Sequence, residues 1–344
     1  MPGLGTSVGR GGATTAQQSL ADSDAIIIMG SSMAEQHPVG FQWVVEARES
    51  GCKVIHVDPR FTRTSATADI WVPLRAGSDI IFLGALIRYV IENDRWFHDY
   101  VLHYTNASTI LREDYVDAED DGGLFSGWNE EKKQYEPVSW LYKGSPVKES
   151  NYHPGHHPAG GGHAKDRGGE AGETHVYETD ESLQHPRCVF QVLKRHFARY
   201  TPEMVEQQCG VSKEAFLKVA ETFVGASGPE KTGCICYAVG WTQHSTGVQM
   251  IRSAAILQLL LGNFGRPGGG ILALRGHASI QGSTDIPTLY DIMPGYMPMP
   301  FFEDDAITLE QFIKKHSTSA GLWSEFGSFF ISLLKAWYGD AATK

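Results

Sequence analysis

Uninterrupted apolar runs of strand length recur along the chain, each closed by a turn residue. Asp24-Ala-Ile-Ile-Ile-Met-Gly30 is apolar at every position between its ends, which predicts a short strand buried on both faces. Lys53-Val-Ile-His-Val-Asp58 repeats the pattern and stops at Pro59, and Gly233-Cys-Ile-Cys-Tyr-Ala-Val-Gly240 repeats it again. Ile70-Trp-Val-Pro-Leu74 is weaker, and Pro73 suits a sheet edge. Between these runs the apolar period becomes helical. Pro38 opens a helix that Gly51 stops, and Ser78 stands as cap before a helix from Asp79 to about Asn93. The second of these is apolar nearly all round and is expected to be buried. Further helices are predicted at 187–199, at 202–209 behind a Thr201 cap, and at 212–225. After Gly240 comes a helix with its apolar face at Val248, Ile251, Ala255 and Leu259, and two more lie in the tail, the second from about Ser324 to Tyr338. This alternation predicts an α/β fold with a doubly wound, mostly parallel sheet. Residues 1–23 are rich in Gly, Ser and Thr, the glycine-dense stretch Gly262–Gly282 is expected to be a loop, and 113–182 reads as a long loop insertion.

Composition narrows the reading. The 344 residues are enough for about two domains, and 42% hydrophobic with 20% charged residues is ordinary for a globular chain. The net charge of −11 argues against a nucleic-acid surface or an anionic membrane surface. The most apolar stretch, Ala254–Leu261, is interrupted at Gln258, and no run approaches the ~20 residues of a membrane span. Met1-Pro-Gly-Leu-Gly5 has no signal-peptide pattern. The five cysteines form no C-x-x-C pair, so they encode neither a zinc ribbon nor an iron–sulfur motif, and an odd count fits free thiols.

Candidate chemistry concentrates where strands end. Ligands in open α/β sheets sit at the carboxyl ends of strands, beside helix N-termini. The first such turn, Gly30-Ser-Ser-Met-Ala-Glu35, offers backbone N–H groups and small hydroxyls to a phosphate, or is a plain loop with Ser31 or Ser32 as cap. The Gly-x-Gly-x-x-Gly fingerprint is absent. At the second, Asp58 either reads a ribose or base edge, accepting ribose hydroxyls or base N–H donors, or pairs with Arg60 on the surface. At the third, Gly77-Ser-Asp79, the carboxylate either reads a base or simply favours the helix N-terminus. At Gly240-Trp-Thr-Gln-His244, Gln243 and His244 either face a ligand or satisfy loop carbonyls. Arg275, set among glycines with few other charges nearby, either suits a carboxylate through its planar fork or ties loop carbonyls together. The histidines between His153 and His175 and the acidic run Asp117–Gly122 are discounted as solvated loop, so no metal ligand is assigned.

Taken together, these strings resemble the catalytic subunit of formate dehydrogenases in the molybdenum or tungsten bis-molybdopterin-guanine-dinucleotide oxidoreductase superfamily. The resemblance rests on Val8–Gly11, Met29–Gly40, Asp58–Thr64, Thr105–Ser108, Gln184–Cys188, Gly240–His244, Leu274–Gly282 and Pro294–Tyr296. It implies a Rossmann-like cofactor domain over residues 1–281, with 282–344 entering a neighbouring one. It also implies formate oxidation to CO2, with electrons passing to iron–sulfur clusters. Arg275 would hold formate and His277 would shape its pocket and relay a proton. Gly30, Ser31, Ser32, Met33, Glu35, Asp58, Arg60, Gly77, Asp79 and Gln243 would line one bis-molybdopterin guanine dinucleotide. The implied partners are the rest of the alpha subunit, an iron–sulfur beta subunit and a cytochrome b subunit, with a periplasmic or membrane-associated location and a place in anaerobic respiration. The family's N-terminal [4Fe-4S] cysteines and its selenocysteine- or cysteine-His segment are not in this sequence. The chain is therefore expected to be a fragment, as a selenocysteine codon read as a stop would produce. Another molybdopterin oxidoreductase such as a nitrate reductase, and a non-catalytic nucleotide-binding or assembly module, are the alternatives.

Overall fold

In the computed structural model, the described residues are 2–8, 13–144, 177–274, 292–294, 297–301, 308–317 and 322–341. The chain divides into two compact units, one of residues 1–108 with 179–278 and the other of 109–178 with 279–344.

The first unit is built on five parallel strands. They are β1 (Ala25–Met29), β2 (Lys53–Val57), β3 (Ile70–Val72), β4 (Gly233–Tyr237) and β5 (Gly270–Ala273), in the order β3-β2-β1-β4-β5. Every pairing is parallel, so the expected doubly wound α/β sheet is present. Its helices are α1 (Pro2–Val8), α2 (Met33–Gln36), α3 (Pro38–Glu49), α4 (Arg63–Thr67), α5 (Asp79–Glu92), α6 (His98–Tyr104), α7 (Val189–Phe197), α8 (Lys213–Gly225), α9 (Val239–Thr242) and α10 (Gly247–Leu260).

Strand side chains alternate between two cores, as the pleat requires. Ile27, Met29, Ile55, Val57, Ile235 and Ile271 join Leu4 of α1 and the apolar faces of α5, α8 and α10. Ile26, Ile28, Val54, Cys234, Cys236 and Leu272 meet Leu20, Met33, and Phe41, Val44 and Ala47 of α3. Burial on both faces explains why the strands are continuous apolar runs.

Several expectations are corrected. The glycine-dense stretch holds a strand, β5, because Gly269 and Gly270 let the backbone pass against Asn263 and Thr14. Residues 2–8, for which the sequence pattern announced no element, are helical, and Gly3 allows α1 to lie on Ile251 of α10. The buried surface of α10 is wider than the face expected, since Met250, Ala254, Leu257 and Gln258 are buried too. The amide of Gln258 donates to the Gly233 carbonyl at 2.9 Å and its oxygen accepts from Asn263, a buried polar brace between β4 and β5. After the Thr201 cap the backbone passes from helix Pro202–Met204 into a π-turn, Val205–Cys209. Ser78 stands before α5 but does not cap it; its hydroxyl donates to the Arg75 carbonyl at 2.6 Å.

In the second unit, Trp128–Asn129 and Gln134–Tyr135 pair as a short antiparallel hairpin within the expected loop insertion. Helices Leu309–His316 and Phe326–Tyr338 pack around Phe312, Phe326 and Phe330. No helix among the described residues is long and apolar enough to cross a membrane.

Candidate functional site

The strand order reverses between β1 and β4. The chain runs outward from β1 to β2 and β3, then returns to the other flank for β4 and β5. The carboxyl ends of β1 and β4 therefore bound the crevice where such sheets bind ligands. Two glycines make that edge. Gly30 ends β1 with φ +68°, and the Gly240 N–H donates to its carbonyl at 3.0 Å. A Cβ on Gly240 would stand 2.5 Å from the Gly30 oxygen, and one on Gly30 would stand 2.8 Å from Trp241 Cδ1. Only glycine permits this approach of the two turns.

The turn after β1 is anchored at one point and open at another. Met33 is wholly buried in the second core. Ser32 Oγ donates to Glu35 Oε2 at 3.0 Å. Ser31 is 7% exposed, and its Oγ, buried, has no hydrogen-bond partner among the described residues. An unpartnered buried hydroxyl is costly unless something else satisfies it.

The segment after β2 buttresses this turn. Thr64 Oγ1 accepts the Ala34 N–H at 3.0 Å, and the Arg60 guanidinium reaches Glu35 at 3.5 Å. Asp58 accepts the Arg60 backbone N–H at 2.8 Å, so Arg60 pairs with Glu35 while Asp58 closes the backbone turn. Thr62 and Ser65 cap α4 reciprocally. His56 is fully buried between the two turns. Burial lowers its pKa, opposed by the Asp58 carboxylate and the Ser31 carbonyl.

The third turn joins the fourth. Asp79, 5% exposed, accepts the Trp241 indole N–H at 3.1 Å. Burial raises the pKa of Asp79, against hydrogen bonds from backbone N–H groups and Trp241 and the nearby His244. Trp241 is itself buried and stacks on Tyr237 with ring centroids 5.0 Å apart. Gly77 turns with φ +86° in open space, and Gln243 is exposed. The structure thus links Gly30–Glu35 with Asp58 and Arg60, and Asp79 with the turn that carries Gln243. Arg275 and His277 lie outside the described residues, as do the histidines at 153–175. Among the described residues, no group of three or more His, Cys, Asp and Glu side chains converges as a metal site.

Sequence reasoning missed His56, Thr64, Ser65 and Trp241, which act on the site from neighbouring elements. A signal existed for the first: a histidine inside an otherwise apolar buried strand.

The profile of the molybdopterin oxidoreductase family matches residues 5–320. The chain belongs to the molybdopterin oxidoreductase family. The family's cofactor is a molybdopterin. The nitrate-inducible formate dehydrogenase major subunit of Escherichia coli K12 is 43% identical over 348 residues, covering 99% of this chain and 31% of that protein. The formate dehydrogenase alpha subunit of Megalodesulfovibrio gigas is 41% identical, covering 98% and 31%. The chain thus spans about a third of the length of these relatives. Among solved structures, acetylene hydratase from Pelobacter acetylenicus aligns with 79% of the chain and 25% of its own, at TM-score 0.47 and 20% identity.

Proposed function

We propose that this chain is part of the catalytic subunit of a formate dehydrogenase. The observation that carries the reading is identity of 41–43% over essentially the whole chain to formate dehydrogenase major or alpha subunits from three bacteria. Residues 1–281 are read as the cofactor domain and 282–344 as the beginning of its neighbour. The cofactor is read as bis-molybdopterin guanine dinucleotide with molybdenum or tungsten, and the [4Fe-4S] cluster as belonging to residues outside this sequence.

The residues present fit such a group. The unpartnered Ser31 hydroxyl and the glycine-to-glycine approach at Gly30 and Gly240 are the features a tightly held polar ligand needs. Gly30, Ser31, Ser32 and Met33 would hold its phosphates through backbone and hydroxyl donors. Glu35 and Arg60 would brace that turn as a pair, while Asp58, Gly77, Asp79 and Gln243 would meet the nucleoside. A buried carboxylate such as Asp79 accepts N–H donors, the complement of a guanine edge. When bound, the cofactor supplies the two-electron redox centre.

Arg275 would bind the formate carboxylate through its bidentate fork and fix its orientation. His277 would exclude bulk water beside it and accept or pass on the proton of the oxidised formate. The electrons would leave through the remainder of the subunit, an iron–sulfur beta subunit and a cytochrome b subunit, at a periplasmic or membrane-associated location.

The test is the purified holoenzyme, assayed with formate and with nitrate, with pterin, guanosine nucleotide, molybdenum and tungsten measured on the same sample. Formate-dependent dye reduction is expected, falling ~10- to 100-fold in kcat/KM in Arg275→Lys because one point charge replaces a fork. Nitrate turnover without formate oxidation would reassign the substrate. Absence of both metals would leave a non-catalytic module.

A further inference from the structure

The turn after β1 is held by a side chain to which the reading above gives no role. His56 lies in β2, in register with Ile28 of β1 and Trp71 of β3. Its Nε2 is 3.2 Å from the Ser31 carbonyl oxygen, and its Nδ1 is 2.8 Å from Ser65 Oγ. A carbonyl only accepts, so Nε2 bears the proton and Nδ1 does not. Nδ1 then accepts the Ser65 hydroxyl proton, while Ser65 Oγ accepts the Thr62 backbone N–H at 2.9 Å. The result is one directed chain from the α4 cap, through Ser65 and His56, to the backbone of Ser31. That residue carries the buried hydroxyl of the turn left without a partner among the described residues.

We propose that His56 is a positioning residue whose neutral, Nε2-protonated form fixes the Ser31 hydroxyl for the guanosine-bearing cofactor, and whose protonation loosens that cofactor. The proposal rests on the cofactor reading above. Protonation puts a second N–H at Nδ1, against a hydroxyl that must then turn its own proton away. It also creates a competitor for Nε2, since Asp58 Oδ2 lies only 3.9 Å off. Asp58 is the charge that faces the ring; Arg60 and Glu35 lie beyond it as a pair, and Arg63 of α4 is exposed. The neighbours from β1 and β3, Ile28 and Trp71, are uncharged. Burial sets the neutral ring as the resting form, so release falls on the acid side of histidine's ordinary 6.5.

The test measures pterin and guanosine nucleotide retained by the holoprotein after gel filtration at a series of pH values, together with the histidine tautomer by long-range 1H–15N correlation. The wild type should lose cofactor with a midpoint below 6.5 and show an Nε2–H signal that vanishes in His56→Gln. His56→Gln places an amide N–H near the Nε2 position, so it should retain about half or more of the cofactor and lose the acid limb. His56→Asn reaches only Ser65 and should retain ~10-fold less at neutral pH. Equal losses in the two variants, an acid limb that survives in His56→Gln, or an Nδ1–H tautomer in the wild type would each overturn the proposal. Holoprotein free of pterin at every pH would instead fail the cofactor reading, and the tautomer, read on the wild type whether or not the variants fold, would still test the hydrogen-bond chain.

Discussion

Burial raises the pKa of Asp79, and the Trp241 indole N–H together with backbone N–H groups does not restore what its carboxylate loses in leaving water. The sign follows from linkage. Its folded pKa lies above its unfolded value of 3.8, so folding favours the protonated acid, and that advantage is lost as pH rises through the folded pKa. At neutral pH the ionised group therefore weighs against the cofactor-free fold. Asp79→Asn should raise the urea midpoint of cofactor-free protein at neutral pH, with the gain vanishing below 3.8. The same change should lower guanosine nucleotide retention ~10-fold, because an amide presents donors to donors. A variant that is less stable and binds equally well would show Asp79 to be a structural partner of Trp241 and nothing more.

At the scale of elements, the site is two pairs of turns pressed together, and glycine positions report the pressure. Gly240 has an ordinary backbone conformation, yet its Cβ would fall within 2.8 Å of three Gly30 backbone atoms. Neither turn can swing aside as a flexible side chain would. Gly240→Ala should cost ~2 kcal/mol in urea unfolding and reduce cofactor retention, the mark of overpacking. Gly77 is the counterpart: φ +86° with nothing within 4 Å of a Cβ. Gly77→Ala should cost ~1 kcal/mol from backbone strain and leave the contacts of Asp79 intact. Equal effects of the two substitutions would show that strain, and not the approach of β1 to β4, governs the crevice. Much of this level was legible beforehand. The runs that became β1, β2 and β4 are buried on both faces and advertise themselves by continuous hydrophobicity, and the turns that follow them are located by the strands. β5 was hidden because its opening glycines look like loop until Asn263 and Thr14 are placed against them. α4 was hidden because it is made of Arg, Thr, Ser and Ala, with no apolar face to announce it, and is held by its cap and by Ser65 under His56. Contacts such as Trp241 to Asp79 join residues far apart in the chain, and no local pattern encodes them.

Over the whole molecule, buried titratable groups bound the pH range of stability from both sides. On the acid side, burial lowers the pKa of His37 and His56, so the unfolded chain takes up protons first and stability declines as pH falls below 6.5. A second decline belongs to carboxylates held ionised in the fold. Asp180, accepting from the Ser182 hydroxyl and several backbone N–H groups, and Glu203, paired with Lys213, are both lowered to about 2, but they face solvent, so the small, salt-screened contribution they make is lost between the ordinary carboxylate range and that value. On the alkaline side the thiols act in the opposite sense. Burial pushes Cys52 up to about 12 and raises Cys188 and Cys209, and Cys236 is raised well above the ordinary 9.0 beside Cys234. Unfolded thiols ionise near 9.0 while these remain protonated in the fold, so stability present below 9.0 drains away above it. Each such thiol steepens the loss by up to ~1.4 kcal/mol per pH unit. Urea midpoints measured under reducing conditions should therefore form a plateau between 6.5 and 9.0, with a steep alkaline edge. Cys52→Ala removes one of the thiols behind that edge and should make it shallower by about one proton's worth of slope, while leaving the acid side unchanged. Parallel alkaline edges in the variant and the wild type would mean that Cys52 is already open to solvent before the chain unfolds, and that the core of Ile26, Ile28, Phe41 and Val44 around it does not stay closed.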